Sequence, residues 1–268
     1  MENSVSKAYF LDTNIVFDAI YPNRPRHPDF KNFYANFPQF SIGITNPVAS
    51  EFNTIAARSA ELLAKYLHNL IMDNDWDKLD ISKRGALLKN TRDELVNYVI
   101  TNKEENKKEF VLDAFEAITS QLINSNKKEI LDLLPYLPED YLRQQQKEVK
   151  NRFIITPTDT SCSSYNKWKN AIKSLNNEVE AFKEKENQDY EIFCDIILLK
   201  RCGARYPDMS TASFERITFY SNDTKFIKNA EKLKEYINKK DNKSFEEEAI
   251  RTALDKIEIK NLYTKNTD

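Results

Sequence analysis

Ala8-Tyr9-Phe10-Leu11-Asp12-Thr13-Asn14 is a short apolar run that stops abruptly at a carboxylate, and its reading decides the fold. Apolar residues followed by Asp, Thr and Asn predict a buried strand ending at a polar site. Open α/β sheets carry their chemistry there, at the carboxyl ends of parallel strands. Ile217-Thr218-Phe219-Tyr220, followed by Ser221-Asn222-Asp223, repeats the form near the other end of the chain. Were the two strands neighbours, Asp12 and Asp223 would converge. Two ionised carboxylates held together repel, so the pair requires a shared proton or a divalent cation. The cation is the reading pursued here.

Composition narrows the alternatives. The 268 residues suffice for one large domain or two small ones, and 40% hydrophobic with 12% aromatic residues is enough for a packed core. Only three glycines are present, and neither the P-loop nor the dinucleotide-binding pattern occurs. Forty Lys and Arg against 42 Asp and Glu give a net charge of -2, so any basic face is local. Cys162, Cys194 and Cys202 form no CxxC pair and are odd in number, which is read as reduced thiols. His27 and His68 alone cannot build a histidine-rich zinc site. No signal pattern and no run near the ~20 apolar residues of a membrane span occur, so a soluble cytoplasmic protein is expected.

Along the chain, Thr13 to Ile20 predicts a helix capped by Thr13 or Asn14, and Pro22, Pro25 and Pro28 predict a loop. Phe30, Phe33, Tyr34 and Phe37 recur at helical spacing and are assigned to the core. Gln39 to Ile44 predicts a second strand, and Thr45-Asn46-Pro47 the start of a helix with Glu51 in its first turn. Glu51 is either a carboxylate stabilised by the helix dipole or a metal ligand beside Asp12. From about residue 56 to 186 the pattern is helical and charged, with Thr91 to Ile100 and Phe110 to Ile123 as clear amphipathic segments. Arg152 to Thr156 reads as a short strand or an extended connector. Lys83, Arg84, Lys89, Arg92, Lys147, Lys150 and Arg152 make either a solvated face or a nucleic-acid groove. The expected organisation is one domain, with its core at about 1–60 and 186–268 and a helical insertion or cap at about 61–185.

Asp189 to Leu199 predicts an apolar helix bearing Asp189, Glu191 and Asp195. A carboxylate on such a helix must be paired, exposed or metal-bound. Asp195, at the edge of the apolar stripe, is the favoured third ligand, and Asp189 competes with it. A loop is expected from Gly203 through Ser213, then the second strand. A basic helix follows over Phe226 to Tyr236 with Lys225, Lys228, Lys232 and Lys234. A last short strand is expected at Ile257-Glu258-Ile259 and a frayed tail after Tyr263.

Together these pieces resemble a PIN-domain protein. The residues that carry the resemblance are Leu11-Asp12-Thr13-Asn14, Glu51, Asp195-Ile196-Ile197-Leu198 and Ser221-Asn222-Asp223-Thr224-Lys225-Phe226. It covers about the first 60 and the last 80 residues. It implies a three-layer α/β fold with a parallel sheet, here with a large α-helical insertion, and Mg²⁺- or Mn²⁺-dependent ribonuclease activity. Asp12 would be the central ligand and Glu51, Asp195 and Asp223 would complete the cluster. Asn14, Ser221 and Asn222 would assist, and Lys225 and Lys228 would meet the phosphate backbone. Hard cations with oxygen ligands suit phosphodiester hydrolysis and need no histidine.

The chain departs from the family in its long insertion, in the stretched segment between Asp195 and Asp223, and in carrying three candidate third ligands. RNA is expected over DNA as the partner; the reading is also open to an inhibitory protein partner and to a homodimer. A toxin, a defence effector and an RNA-processing enzyme all fit. Two other classes compete. One is a catalytically inactive scaffold that binds a protein or nucleic acid through the insertion. The other is an aspartyl phosphatase, which would need a second carboxylate where this chain has Asn14.

Overall fold

The computed structural model describes residues 2–38, 41–102, 108–183 and 187–263. Among them the chain forms β1 (Glu2–Leu11), α1 (Thr13–Ile20), α2 (His27–Tyr34), β2 (Ile42–Thr45), α3 (Asn46–Asp73), α4 (Ile81–Thr101), α5 (Lys108–Asn124), α6 (Lys127–Leu133), α7 (Leu137–Arg152) and β3 (Ile154–Thr156). It continues through α8 (Tyr165–Val179), α9 (Asn187–Cys202), β4 (Ala204–Arg205), β5 (Thr211–Ser221), α10 (Thr224–Lys239), α11 (Phe245–Leu254) and β6 (Ile257–Asn261). The fold class is α/β with a largely parallel sheet.

Two compact units divide the chain. One holds 1–19, 28–51 and 152–268; the other holds 20–27 and 52–151. The sheet and α8 to α11 belong to the first unit, so residues 152–185, grouped with the insertion from sequence alone, lie with the sheet. α3 belongs to both units, with its first residues through Glu51 in the sheet unit.

In the sheet unit the strand order is β3-β2-β1-β5-β4, and β6 also pairs with β5. β1 is flanked in parallel by β2 and β5, which explains why Phe10 and Leu11 are buried on a strand that ends in a carboxylate. Its register with β5 runs from Glu2↔Thr211 to Leu11↔Tyr220. The Asp12 N–H extends that ladder to the Tyr220 carbonyl at 2.8 Å. The far edge of β5 is shared, with β4 antiparallel at its start and β6 parallel from Ile217 to Ser221. The helices cover this sheet through apolar stripes. Phe226, Ala230, Leu233 and Ile237 recur every three or four residues on α10 and are buried. Phe226 packs against Phe219 of β5, Phe193 of α9 and Phe182.

Several sequence expectations shift. The Arg152 to Thr156 stretch contains a strand, β3, parallel to β2. The loop expected from Gly203 through Ser213 is a hairpin. Tyr206 N–H bonds the Ser210 carbonyl at 2.9 Å and Asp208 Oδ1 accepts from Ser210 N at 3.0 Å, which turns β4 back onto β5. Glu51 lies in the second turn of α3, because the helix already begins at Asn46 with Pro47 as its second residue. Of the strand expected from Gln39, residues 39 and 40 lie outside the described residues, as does the tail from 264.

The second unit is helical. Trp76 is fully buried, donates from Nε1 to the Ser125 carbonyl at 3.1 Å, and is covered by the Arg84 guanidinium. Arg84 also donates to the Ile123 and Ser125 carbonyls at 2.9 and 3.1 Å, closing the end of α5. It therefore holds the fold rather than a groove. Phe110 packs on Phe52 and Tyr21, and Tyr21 donates to Gln145 at 2.7 Å. In the sheet unit Arg152 is likewise engaged, donating to the Ala19 carbonyl at 2.7 Å. Lys89, Lys147 and Lys150 are exposed.

Gly203 turns the chain from α9 into β4 with φ 78°, and a Cβ there would stand 2.4 Å from the Ala212 carbonyl oxygen. Neither the left-handed backbone nor the close strand tolerates a side chain. Gly203→Ala is expected to cost about 1–3 kcal/mol, read as a lower urea midpoint with an unchanged slope.

Candidate acidic site at the strand ends

The end of β1 delivers Asp12 to the carboxyl edge of the sheet at 5% exposure. Each of its oxygens is held. Oδ1 accepts the Thr13 N–H at 2.7 Å and Oδ2 accepts the Ser221 hydroxyl at 2.6 Å. Asp12 itself precedes α1, with its carbonyl accepting from Ile15 and Val16 N–H, so it takes the capping position expected for Thr13 or Asn14. Thr13 has a different task. Its hydroxyl donates to Glu51 Oε2 at 2.5 Å, so one residue ties both carboxylates, Asp12 through its N–H and Glu51 through its hydroxyl.

Burial pushes the Asp12 carboxyl up to about 7, against the Ser221 and Thr13 hydrogen bonds; the charges of Glu51 and Asp189 push it further. Burial also raises Glu51, and the Thr13 hydroxyl offsets part of that. Asp12 therefore feels the charges of both Glu51 and Asp189. Thr45, two residues beyond the Gly43 that pairs with Phe10, ends β2 at the same edge; its buried hydroxyl has no hydrogen-bond partner among the described residues.

The other sequence candidates also bond neighbouring groups, and Asp195 keeps its buried Oδ2 without a hydrogen-bond partner among the described residues. Asp195 Oδ1 accepts the Thr158 hydroxyl at 2.7 Å, and Lys169 is the charge beside it; burial holds its carboxyl at about 6. Asp189, its competitor, is among the charges that raise Asp12. Asp223 caps α10, with Oδ1 accepting the N–H groups of Lys225 and Phe226 at 2.7 and 3.1 Å. Ser221 links Asp223 to Asp12, donating to the Asp12 carboxylate and accepting the Asp223 N–H at 3.0 Å. Asn14 is half-buried in the first turn of α1 and Asn222 half-buried between β5 and α10. Lys225 and Lys228 are exposed on the opening turns of α10.

A cavity of about 540 Å³ is lined by Pro47, Tyr165, Lys169, Tyr190, Glu191 and Asp195 among others, and Asp12, Glu51 and Asp189 are not among its lining residues. Pro47 precedes Glu51 by one helical turn, and Asn187 and Tyr190 flank Asp189 on α9. Lys169 and Lys173, one turn apart on α8, put two cations in a lining that also holds Glu191 and Asp195. Sequence reasoning missed this wall because α8 falls in the stretch assigned to the insertion.

Among the described residues no group of three or more His, Cys, Asp or Glu side chains is placed to hold a metal ion. The donor chemistry nonetheless suits a hard cation, since Mg²⁺ usually takes one or two carboxylates and fills its remaining positions with water and substrate oxygens. No helix among the described residues is long and apolar enough to cross a membrane. No protein-family model, curated protein or solved structure matches the chain. What stands is a class by architecture: an α/β protein with a buried carboxylate, Asp12, at its strand ends.

The raised Asp12 carboxyl has a stability consequence. Between pH 3.8, its ordinary value, and about 7 the folded chain binds more protons than the unfolded one. Stability therefore falls as pH rises through that window, with a total effect on the order of a few kcal/mol. Asp195 acts in the same sense. Urea unfolding across pH 4 to 8 is expected to show this decline in the wild type and a shallower one in Asp12→Asn. Equal slopes would contradict the buried-carboxylate account.

Proposed function

We propose that the chain is a metal-dependent, PIN-like nuclease that hydrolyses phosphodiester bonds, in RNA before DNA. The observation that carries this reading is the buried Asp12 carboxylate, raised to about 7 beside Glu51 and Asp189. A fold has no stability reason to bury one carboxyl within reach of two like charges. A site that recruits a cation does. Asp12 and Glu51 would hold Mg²⁺ or Mn²⁺, with Asp189 as the further carboxylate. The ion would supply a water of lowered pKa and neutralise the phosphate's charge.

The chain's own residues prepare that chemistry. Thr13 and Ser221 fix the Asp12 and Glu51 side chains, so the carboxylates need little reordering. Lys169 and Lys173 of α8 and Lys225 and Lys228 of α10 would hold phosphates, and Tyr165 and Tyr190, which line the cavity, would contact bases.

A second reading, a catalytically inactive scaffold of the same fold, is favoured by one specific observation. Two of the acids picked from the sequence are engaged in structural bonds, Asp195 with Thr158 and Asp223 with the α10 backbone. One set of assays separates the readings. Single-stranded and structured RNA, with DNA alongside, would be incubated with Mg²⁺, Mn²⁺ or EDTA. Cleavage is expected only with metal, and is expected to fall to background in Asp12→Asn and Glu51→Gln. Mg²⁺ is also expected to raise the melting temperature of the wild type at pH 7.5 and not that of Asp12→Asn. Lys169→Ala and Lys173→Ala should each lower the slope of log affinity against log salt by about 1. No cleavage by a folded wild type under any condition would shift the assignment to the scaffold.

A further inference from the structure

The acidic site uses none of the cysteines, and two of them meet. After β3 the chain runs beside the end of α9. Thr158 forms an antiparallel bridge with Ala204, Asp159 N–H bonds the Gly203 carbonyl at 2.9 Å, and Arg205 N–H bonds the Pro157 carbonyl at 3.1 Å. The Arg205 guanidinium donates to Ser161 Oγ at 2.7 Å. Cys162 lies in the turn that closes this pairing, and Cys202 is the last residue of α9. The pairing of residues 157–159 with 203–205 sets the Cys162 thiol close enough to act on the ionisation of Cys202. Both are half-exposed, whereas Cys194 is buried.

We propose that Cys162 and Cys202 are a reversible redox pair that closes to a disulfide on reaction with a hydroperoxide. The balance is simple. One thiolate attacks the O–O bond of hydrogen peroxide, giving a sulfenic acid and, with one proton, water. The second thiol then displaces the sulfenic oxygen, forming the S–S bond and releasing a second water. Two thiols lose two electrons and two protons, and one peroxide is reduced to two waters. Burial, with Cys162 and Asp159 nearby, pushes the Cys202 thiol well above its ordinary range. Cys202 therefore keeps its proton, which makes Cys162 the attacking sulfur and Cys202 the resolving one.

The bond would close a loop of roughly 40 residues, enough to constrain the unfolded chain appreciably. It would also fasten the segment that carries Thr158, the hydrogen-bond donor to Asp195, to the helix that carries Asp189. In the sequence the two cysteines stand far apart and form no motif. The pairing of residues 157–159 with 203–205 brings them together.

The test uses the wild-type chain treated with a small excess of hydrogen peroxide and then quenched. Thiols titrated after denaturation are expected to fall from three to one and to return to three with dithiothreitol. A peptide map is expected to show Cys162 joined to Cys202 within one chain, and the oxidised protein to melt at a higher temperature than the reduced one. Cys162→Ser should keep both remaining thiols under the same treatment, whereas Cys202→Ser should form no disulfide and lose only the Cys162 thiol, as a sulfenic acid. Three titratable thiols after oxidation, a bond to Cys194, or a bond between two chains would overturn the proposal. The peptide map is made on the wild type, so a variant that fails to fold leaves the test intact.

Discussion

Parallel pairing of β1 with β5 is the constraint on which the site depends. The two strands come from opposite ends of the chain, and their ladder runs without a break in register from Ala8↔Ile217 to Leu11↔Tyr220. Because side chains alternate along a strand, a slip of one residue would turn every side chain to the other face. Phe10 and Phe219 are paired and buried, which makes any slip costly and pins the register. Asp12 and Ser221 therefore meet at hydrogen-bond distance although 209 positions separate them. The carboxylate is held by the geometry of a hydrophobic sheet; no countercharge is needed to bring it there.

That arrangement carries an electrostatic cost, and the surrounding groups show how the protein limits it. Two hydroxyl or amide donors lower the Asp12 carboxyl while burial and two acids raise it. Neutral donors stabilise a carboxylate less than an ion would, so the residual strain appears as a carboxyl near 7. Contrast Glu247, half a turn of chemistry away in kind: Lys240 sits on it at 2.6 Å and its carboxyl is lowered. The protein can pair an acid with a lysine where it needs only stability. At the strand ends it does not.

How much of this was legible in the sequence depends on the length of the signal. β1, α1, α9, α10 and β6 were readable because apolar residues recur over enough positions to define a period or a clean stop at a polar residue. β3 and β4 span only three and two residues, too short to show any alternation, and depend on partners remote in sequence. The turn at Gly203 gave a hint, since a glycine after a helix marks a left-handed cap, but not the hairpin that follows. Asp12 and Glu51 could be found from strand–helix junctions. The third acid could not, because Asp189 and Asp195 both sit on α9 and periodicity does not say which way each faces; the bond from Thr158 to Asp195 is a contact from a segment remote in sequence. Thr13 was read as a cap, and its bond to Glu51 is invisible without the approach of α3.

α9 brings these levels together. Its middle, Ile196 to Leu199, is buried and anchors the helix in the sheet unit. Its first turn presents Asp189 toward the charges at the strand ends, and its last residue, Cys202, meets Cys162. A rigid helix couples displacements at its two ends, because the packed apolar middle cannot deform without opening voids. Whatever fastens or frees the C-terminal turn of α9 therefore acts on the position of an acid a helix length of roughly 20 Å away. The same rigidity explains why the hydroxyl on Asp195 matters: an unpaired carboxylate halfway along α9 would favour tilting the helix toward water, and Thr158 removes that drive at one oxygen.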